Sequence, residues 1–220
     1  MQPPAGKKRK SWGRSIETPR DRFLTKLHFQ LADHGILRHL WTNMEEIAPG
    51  VWRSNQPGAR RLAQWQAMGI RTVLSLRGTP HMSHYLFECE SCASLGLTLV
   101  TTELHARKPA TREALLRLFD LFRKIERPFV MHCKSGADRA GLASALYLLA
   151  FRGATVAEAR EQLSFRFLHI RASSTGVLDY MLDVYEARLA RGAIGIEEWI
   201  ATEYDPTEIA EGFARLRGGK

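Results

Sequence analysis

The chain has 220 residues, 45% of them apolar, and a formal net charge of +9. That is enough for one domain with a real core plus an extension, and too apolar for general disorder. Three cysteines form an odd set in so long a chain, which argues against a disulfide framework and for a reducing compartment, so a cytoplasmic location is expected.

Residues 1–20 contain Lys7, Lys8, Arg9, Lys10, Arg14 and Arg20 against Glu17. No apolar run follows that would make this a secretory signal. The stretch reads as a basic, disordered, solvated tail that is also suited to touching an anionic membrane surface, leaving the protein peripheral to a membrane at most. The remaining chain is only mildly basic, which suits an anionic substrate, and no specific nucleic acid is expected. Residues 21–47 form a helical extension. Phe23, Leu27, Leu31, Leu37, Leu40 and Trp41 recur at helical spacing, and His34 and Gly35 break the helix in two. This apolar side is expected to pack on the domain.

From residue 48 the chain alternates. Residues 50–54 read as a strand, 59–69 as a helix, 70–78 as a buried strand, 82–96 as a helix and 97–104 as a strand. Residues 111–126 read as a helix capped by Thr111 that buries Leu115, Leu118, Phe122 and Ile125. Residues 128–133 are apolar on both faces, as a central parallel strand requires. A helix follows to Phe151; its run 142–151 is too short to span a bilayer. Thr155 and Glu158 form a capping box, and a helix ending at Gly192 and a short helical tail complete the chain. The pattern predicts an α/β fold with a mostly parallel central sheet flanked by helices, forming one domain over 48–220.

The stretch VMHCKSGADRAG, residues 130–141, joins the apolar strand to the next helix. Backbone N–H groups from Lys134 through Ser135, Gly136, Ala137 and Asp138 to Arg139 can curl around a tetrahedral anion at the helix start. Gly136 allows the sharp bend, and Arg139 offers a planar fork to two phosphate oxygens. Cys133 at the base of this positive cup is placed to act as a thiolate nucleophile.

These residues resemble the HCX5R signature of the cysteine-dependent protein tyrosine and dual-specificity phosphatases, with His132, Cys133 and Arg139 in register. VWRSNQP (51–57) and VLSLRG (73–78) resemble the compact bacterial, plant and fungal dual-specificity group. The resemblance implies a two-step hydrolysis of a phosphorylated protein, or of a small or lipid phosphate, through a thiophosphate on Cys133. It implies no metal and no cofactor. It also implies a supporting role for His132, and arginines such as Arg53 and Arg77 beneath the loop.

Two positions depart from the family pattern. Ala140 stands where a hydroxyl often assists release of the thiolate, so a slower second step or help from Ser135 is expected. The loop TTELHARKPAT (101–111) contains Glu103 and His105 but lacks the usual acid Asp. Asp138, next to Arg139 as in myotubularin-type phosphatases, becomes the candidate proton donor; orienting Arg139 or capping the helix is its plain alternative. Cys89 and Cys92 read as one surface and one buried cysteine rather than a redox pair, Arg107 and Lys108 as solvated cations, and His169 as an ordinary loop histidine. A lipid or inositol phosphate phosphatase and a weak phosphate-binding module are the alternatives; a sulfurtransferase is disfavoured by the loop length.

Overall fold

The computed structural model describes residues 12–78 and 81–218. Five strands, β1 (Glu45–Ala48), β2 (Val51–Asn55), β3 (Thr72–Ser75), β4 (Thr98–Thr101) and β5 (Phe129–Cys133), form one sheet in the order β1-β2-β5-β3-β4. All pairings are parallel except β1 with β2. Every residue of β5 is buried because layers cover both sheet faces. Phe129, Met131 and Cys133 join the larger core, and Val130 joins the smaller one.

Helix α1 (Pro19–Leu31) precedes the sheet. Helices α2 (Ala59–Ala67) and α3 (Ser83–Leu95) enclose the smaller core. On the larger core pack α4 (Arg112–Lys124), α5 (Asp138–Phe151) and the short α6 (Val156–Arg160). With them are α7 (Val177–Leu189), α8 (Ile196–Thr202) and α9 (Pro206–Gly218). The expected burial of Leu115, Leu118 and Phe122 on α4, and of Ile125 just after it, holds. So do both caps, Thr111 accepting from the Ala114 N–H and Thr155 closing a capping box with Glu158.

The N-terminal extension departs from its expected packing. Its helix forms, capped by Thr18, but Phe23, Leu27 and Leu31 lie on its exposed side. The buried residues are Thr25 and His28. Thr25 Oγ1 donates to the Ser15 carbonyl at 2.6 Å, and His28 Nδ1 lies 2.8 Å from Ser83 Oγ. The face of α1 that meets α3 carries Phe29, edge-on to Phe87, beside His28 on Ser83, and Arg22 pairs with Glu90 at 2.6 Å, so Phe23, Leu27 and Leu31 are left on the other side.

Part of the expected disordered tail is placed, since the Trp12 ring packs edge-on against His28. Residues 1–11 lie outside the described residues. The antiparallel edge strand β1 was not expected, and it starts the sheet at Glu45, within the stretch assigned to the extension. A buried ion cluster fastens the extension to the domain. Asp33 is gripped by Arg77 at 2.7 and 3.1 Å and lies 2.9 Å from Arg38. Burial would raise the Asp33 carboxyl, but Arg77 and Arg38 hold it down at about 2. Among the described residues no helix is long and apolar enough to cross a membrane.

Candidate active site

The loop after β5 places its amides by restraining its carbonyls. The Lys134 carbonyl accepts from the Gln56 N–H at 3.3 Å. The Ser135 carbonyl accepts from Asn43 Nδ2 at 2.9 Å and Trp41 Nε1 at 3.3 Å. Arg53 donates to the Gly136 carbonyl at 2.5 Å and to that of Ala137 at 3.3 Å. With these carbonyls tied to the scaffold, the loop is held in one shape, with the Ala137 N–H already donating to Ser135 Oγ.

Gly136 is at φ +75, and a Cβ there would come within 2.8 Å of the Asn55 nitrogen and Asn43 Cβ. Only glycine fits both the left-handed backbone and this close approach.

Arg53 is the central support. It is fully buried, its guanidinium lies 3.6 Å from the Phe167 ring centre, and it also donates to the Gln162 carbonyl and Oε1, each at 2.7 Å. Burial pulls it down to about 10, with Cys133 and Glu45 opposing the shift, so it stays charged at neutral pH. Arg77, expected beneath the loop with Arg53, instead binds Asp33 and Gln56.

Cys133 ends β5, almost wholly buried, and Arg139 lies in the first turn of α5. His132 is fully buried, with Nδ1 3.4 Å from the Cys133 carbonyl. Its Nε2 is 2.7 Å from Glu88 Oε1 of α3, outside the alignment of a hydrogen bond. Ser135 Oγ accepts from the Ala137 N–H at 3.3 Å. Lys134, Ser135, Asp138 and Arg139 line one cleft of about 590 Å³ with Leu37, Trp41 and residues 103–108. Glu103, His105, Arg107 and Lys108 are exposed on its far side.

Asp138 and His169 are locked together. Asp138 Oδ1 is 2.8 Å from His169 Nδ1, and His169 Nε2 is 2.7 Å from Asp179 Oδ2. Burial opposes charge on His169, but the two carboxylates outweigh it and raise the imidazole to about 9. His169 is therefore protonated at neutral pH, and it is no ordinary loop histidine. A folded-state value above the ordinary 6.5 means that its stabilisation is complete below about pH 6.5 and is lost as the pH rises through about 9. We expect the wild type to lose about 2–3 kcal/mol of stability across that window and His169→Gln to lose little, as measured by urea unfolding at stepped pH.

Ala140 is fully buried inside α5 and supplies no polar group. Cys92 is buried in the smaller core and its thiol is pushed up to about 12 by burial, which leaves it unsuited to exchange with Cys133, while Cys89 is half-buried. Asn43, Gln162, His169 and Asp179 support the site without standing out in the sequence. The one available signal is Asp179, an acid inside the apolar run 177–182.

Comparison with known proteins agrees with this fold. The dual specificity protein phosphatase TpbA of Pseudomonas aeruginosa (strain UCBPP-PA14) is 30% identical over 115 residues. That match covers 50% of this chain and 48% of TpbA, so the chain spans about half the length of this curated relative. The crystal structure of P. aeruginosa TpbA superposes with a TM-score of 0.54 at 21% identity, over 82% of this chain and 96% of that one. A second TpbA structure, a cysteine-to-serine variant in complex with phosphotyrosine, superposes at 0.52 with 22% identity, over 68% and 91%. The catalytic domain of the PP-IP phosphatase SIW14 from S. cerevisiae superposes at 0.52 with 16% identity, again over 68% and 91%. The family model for the phosphatase domain of the Swiss Army Knife proteins matches residues 44–174, the stretch that holds the whole sheet and the Cys133 loop, and the chain belongs to that family, PTP-SAK of the DSP-PTPase type.

Proposed function

We propose that the protein is a phosphomonoesterase that works through a phosphocysteine on Cys133. The observation that carries this reading is the loop whose carbonyls are tied back by Arg53, Asn43, Trp41 and Gln56. A loop restrained in this way, following directly on Cys133 at the end of β5, supports an anion site beside that cysteine. The amides of 134–139 and the Arg139 guanidinium bind the phosphate and stabilise the charge that develops on its oxygens. The Cys133 thiolate forms the S–P bond as the ester P–O bond breaks, and the leaving oxygen takes a proton. Water then attacks phosphorus, the S–P bond breaks, and inorganic phosphate leaves with the thiolate restored.

Asp138 is the proposed donor of that proton. It lines the cleft, and a protonated His169 stands one hydrogen bond behind it. The proton resides on His169, so the proposed step passes it from His169 Nδ1 through the Asp138 carboxylate, the member facing the substrate, to the leaving oxygen, leaving His169 neutral until water in the second step restores it. Ser135 is the hydroxyl available in the loop for the second step, in place of Ala140.

Substrate class is proposed from the relatives and from the cleft's cations. The relative solved with phosphotyrosine supports an aryl phosphate. The exposed His105, Arg107 and Lys108 on the far side, together with the likeness to a PP-IP phosphatase, favour a substrate carrying a second phosphate as the next reading.

Acid-quenched mixing with an aryl phosphate and with an alkyl phosphate tests the chemistry. A phosphoryl group on Cys133 is expected by mass spectrometry. In Asp138→Asn the alkyl ester should slow by about 10²–10⁴-fold and a good aryl leaving group by far less. Turnover with no covalent species in any quench sinks the two-step scheme, and equal slowing of both esters sinks the acid assignment. Comparing kcat/KM on phosphotyrosine peptides, phosphothreonine peptides, phosphoinositides and inositol polyphosphates ranks the substrate classes.

A further inference from the structure

The two N-terminal elements are folded inside out. On α1 the buried side is Thr25 and His28, while Phe23, Leu27 and Leu31, spaced one turn apart, face away from the domain with 67%, 36% and 55% of their surface exposed. In the 3-10 turn Ile36–His39 the arginine at 38 is buried, while Ile36 and Leu37 are exposed, and Leu40 follows at 81% exposure. Six large apolar side chains are thus left exposed over 18 residues of chain, while beneath them His28 reaches Ser83, Thr25 bonds the Ser15 carbonyl and Arg38 pairs with Asp33. A patch of this kind on a stable, docked helix marks an interaction surface.

The charges around the patch select its partner. Arg20 and Lys26 flank the apolar row on α1 and Arg14 precedes it; all three are exposed and make no ion pair among the described residues. Immediately before Trp12, whose ring packs on His28 of this helix, the sequence carries Lys7, Lys8, Arg9 and Lys10. An apolar row on the outer side of a helix, bordered by cations and preceded by a basic cluster, combines the two signals that hold a protein to an anionic lipid surface. A protein partner of the usual kind offers no reason for such an excess of one charge.

We propose that α1 and the following turn, through Phe23, Leu27 and Leu31, seat this protein on an anionic membrane surface. Leu37, exposed in the turn that follows α1, also lines the cleft.

Co-sedimentation with vesicles of equal parts phosphatidylglycerol and phosphatidylcholine tests this, with phosphatidylcholine vesicles as the control. The full chain should bind the anionic vesicles and release as salt is raised to roughly 0.5 M. The Phe23→Ser, Leu27→Ser, Leu31→Ser triple variant should lose about tenfold or more of that binding while its circular dichroism and aryl phosphate turnover stay unchanged. A second variant, Lys7, Lys8, Arg9 and Lys10 all to Gln, should lose affinity for the anionic vesicles only. No binding to anionic vesicles, or equal binding by the triple variant, overturns the proposal. A wild type that sediments as a dimer, with a monomeric triple variant and no vesicle binding, assigns the patch to a second copy and overturns it as well.

Discussion

Cys133→Ser is expected to lower hydrolysis of an aryl phosphate by at least about 10³-fold while leaving the affinity for inorganic phosphate within about threefold. The substitution is nearly isosteric and the site is almost wholly buried in the larger core, so the fold has little to lose. What goes is the nucleophile. A serine hydroxyl stays protonated near neutral pH, and among the described residues no base hydrogen-bonds to the side chain at position 133 in the manner of a serine hydrolase. Binding should survive because the anion is held by the amides of 134–139 and by Arg139, neither of which needs the sulfur. Steady-state turnover together with calorimetric titration of phosphate separates the two. Turnover above about a tenth of wild type would place the nucleophile elsewhere. Loss of both turnover and binding would mean that the thiol helps to hold the loop, a structural role that the hydrogen bonds assign to Arg53.

Arg53→Met is the second large effect, and it acts on the scaffold. We expect a loss of about 3–5 kcal/mol in unfolding free energy and a fall in kcat/KM of at least about tenfold. Arg53 is fully buried and donates to two loop carbonyls and to two oxygens of Gln162. Methionine fills most of the volume over Phe167 but donates nothing. The Gly136 carbonyl and Gln162 Oε1 then lose their donor inside the protein, where an unpaired polar group is costly. A Gly136 carbonyl free to rotate no longer fixes its neighbouring amides towards the anion. Arg53→Lys should fall between the two, keeping the charge and losing the planar fork. Urea unfolding and kcat/KM on one aryl phosphate, taken for all three proteins, check this. A methionine variant within about 1 kcal/mol of wild type would show that the four contacts contribute little.

Both predictions rest on residues that differ in how far the sequence exposed them. Cys133, Gly136 and Arg139 follow one another at fixed spacing after an apolar strand, and every part of that inference is local. The caps at Thr111 and Thr155 are local too, each a bond across three residues. Burial on both faces of β5 was legible because a central parallel strand carries no polar alternation. Strand–helix alternation likewise implied the α/β layers around a parallel sheet.

Of the support beneath the site, Arg53 was expected there from the family resemblance; its partners and the rest of the support were hidden. Arg53 reaches the Gly136 carbonyl across 83 residues, Asn43 reaches that of Ser135 across 92, and His169 joins Asp138 across 31. Such contacts have no period and no fixed spacing. They exist because the sheet order sets β2 beside β5 and because the chain after α6 returns to the mouth of the loop. The side of α1 that packs was misread for a related reason. Spacing alone shows that Phe23, Leu27 and Leu31 share a face, whereas the contacts with α3 through His28, Phe29 and Arg22 decide that this face points outward. By itself, the sequence determined the fold class and the cysteine loop, since both are written in short-range patterns. The tertiary structure alone decided what holds that loop open, which acid is backed by a protonated histidine, and which apolar surface is left for a partner, because each depends on groups that meet only once the chain has folded.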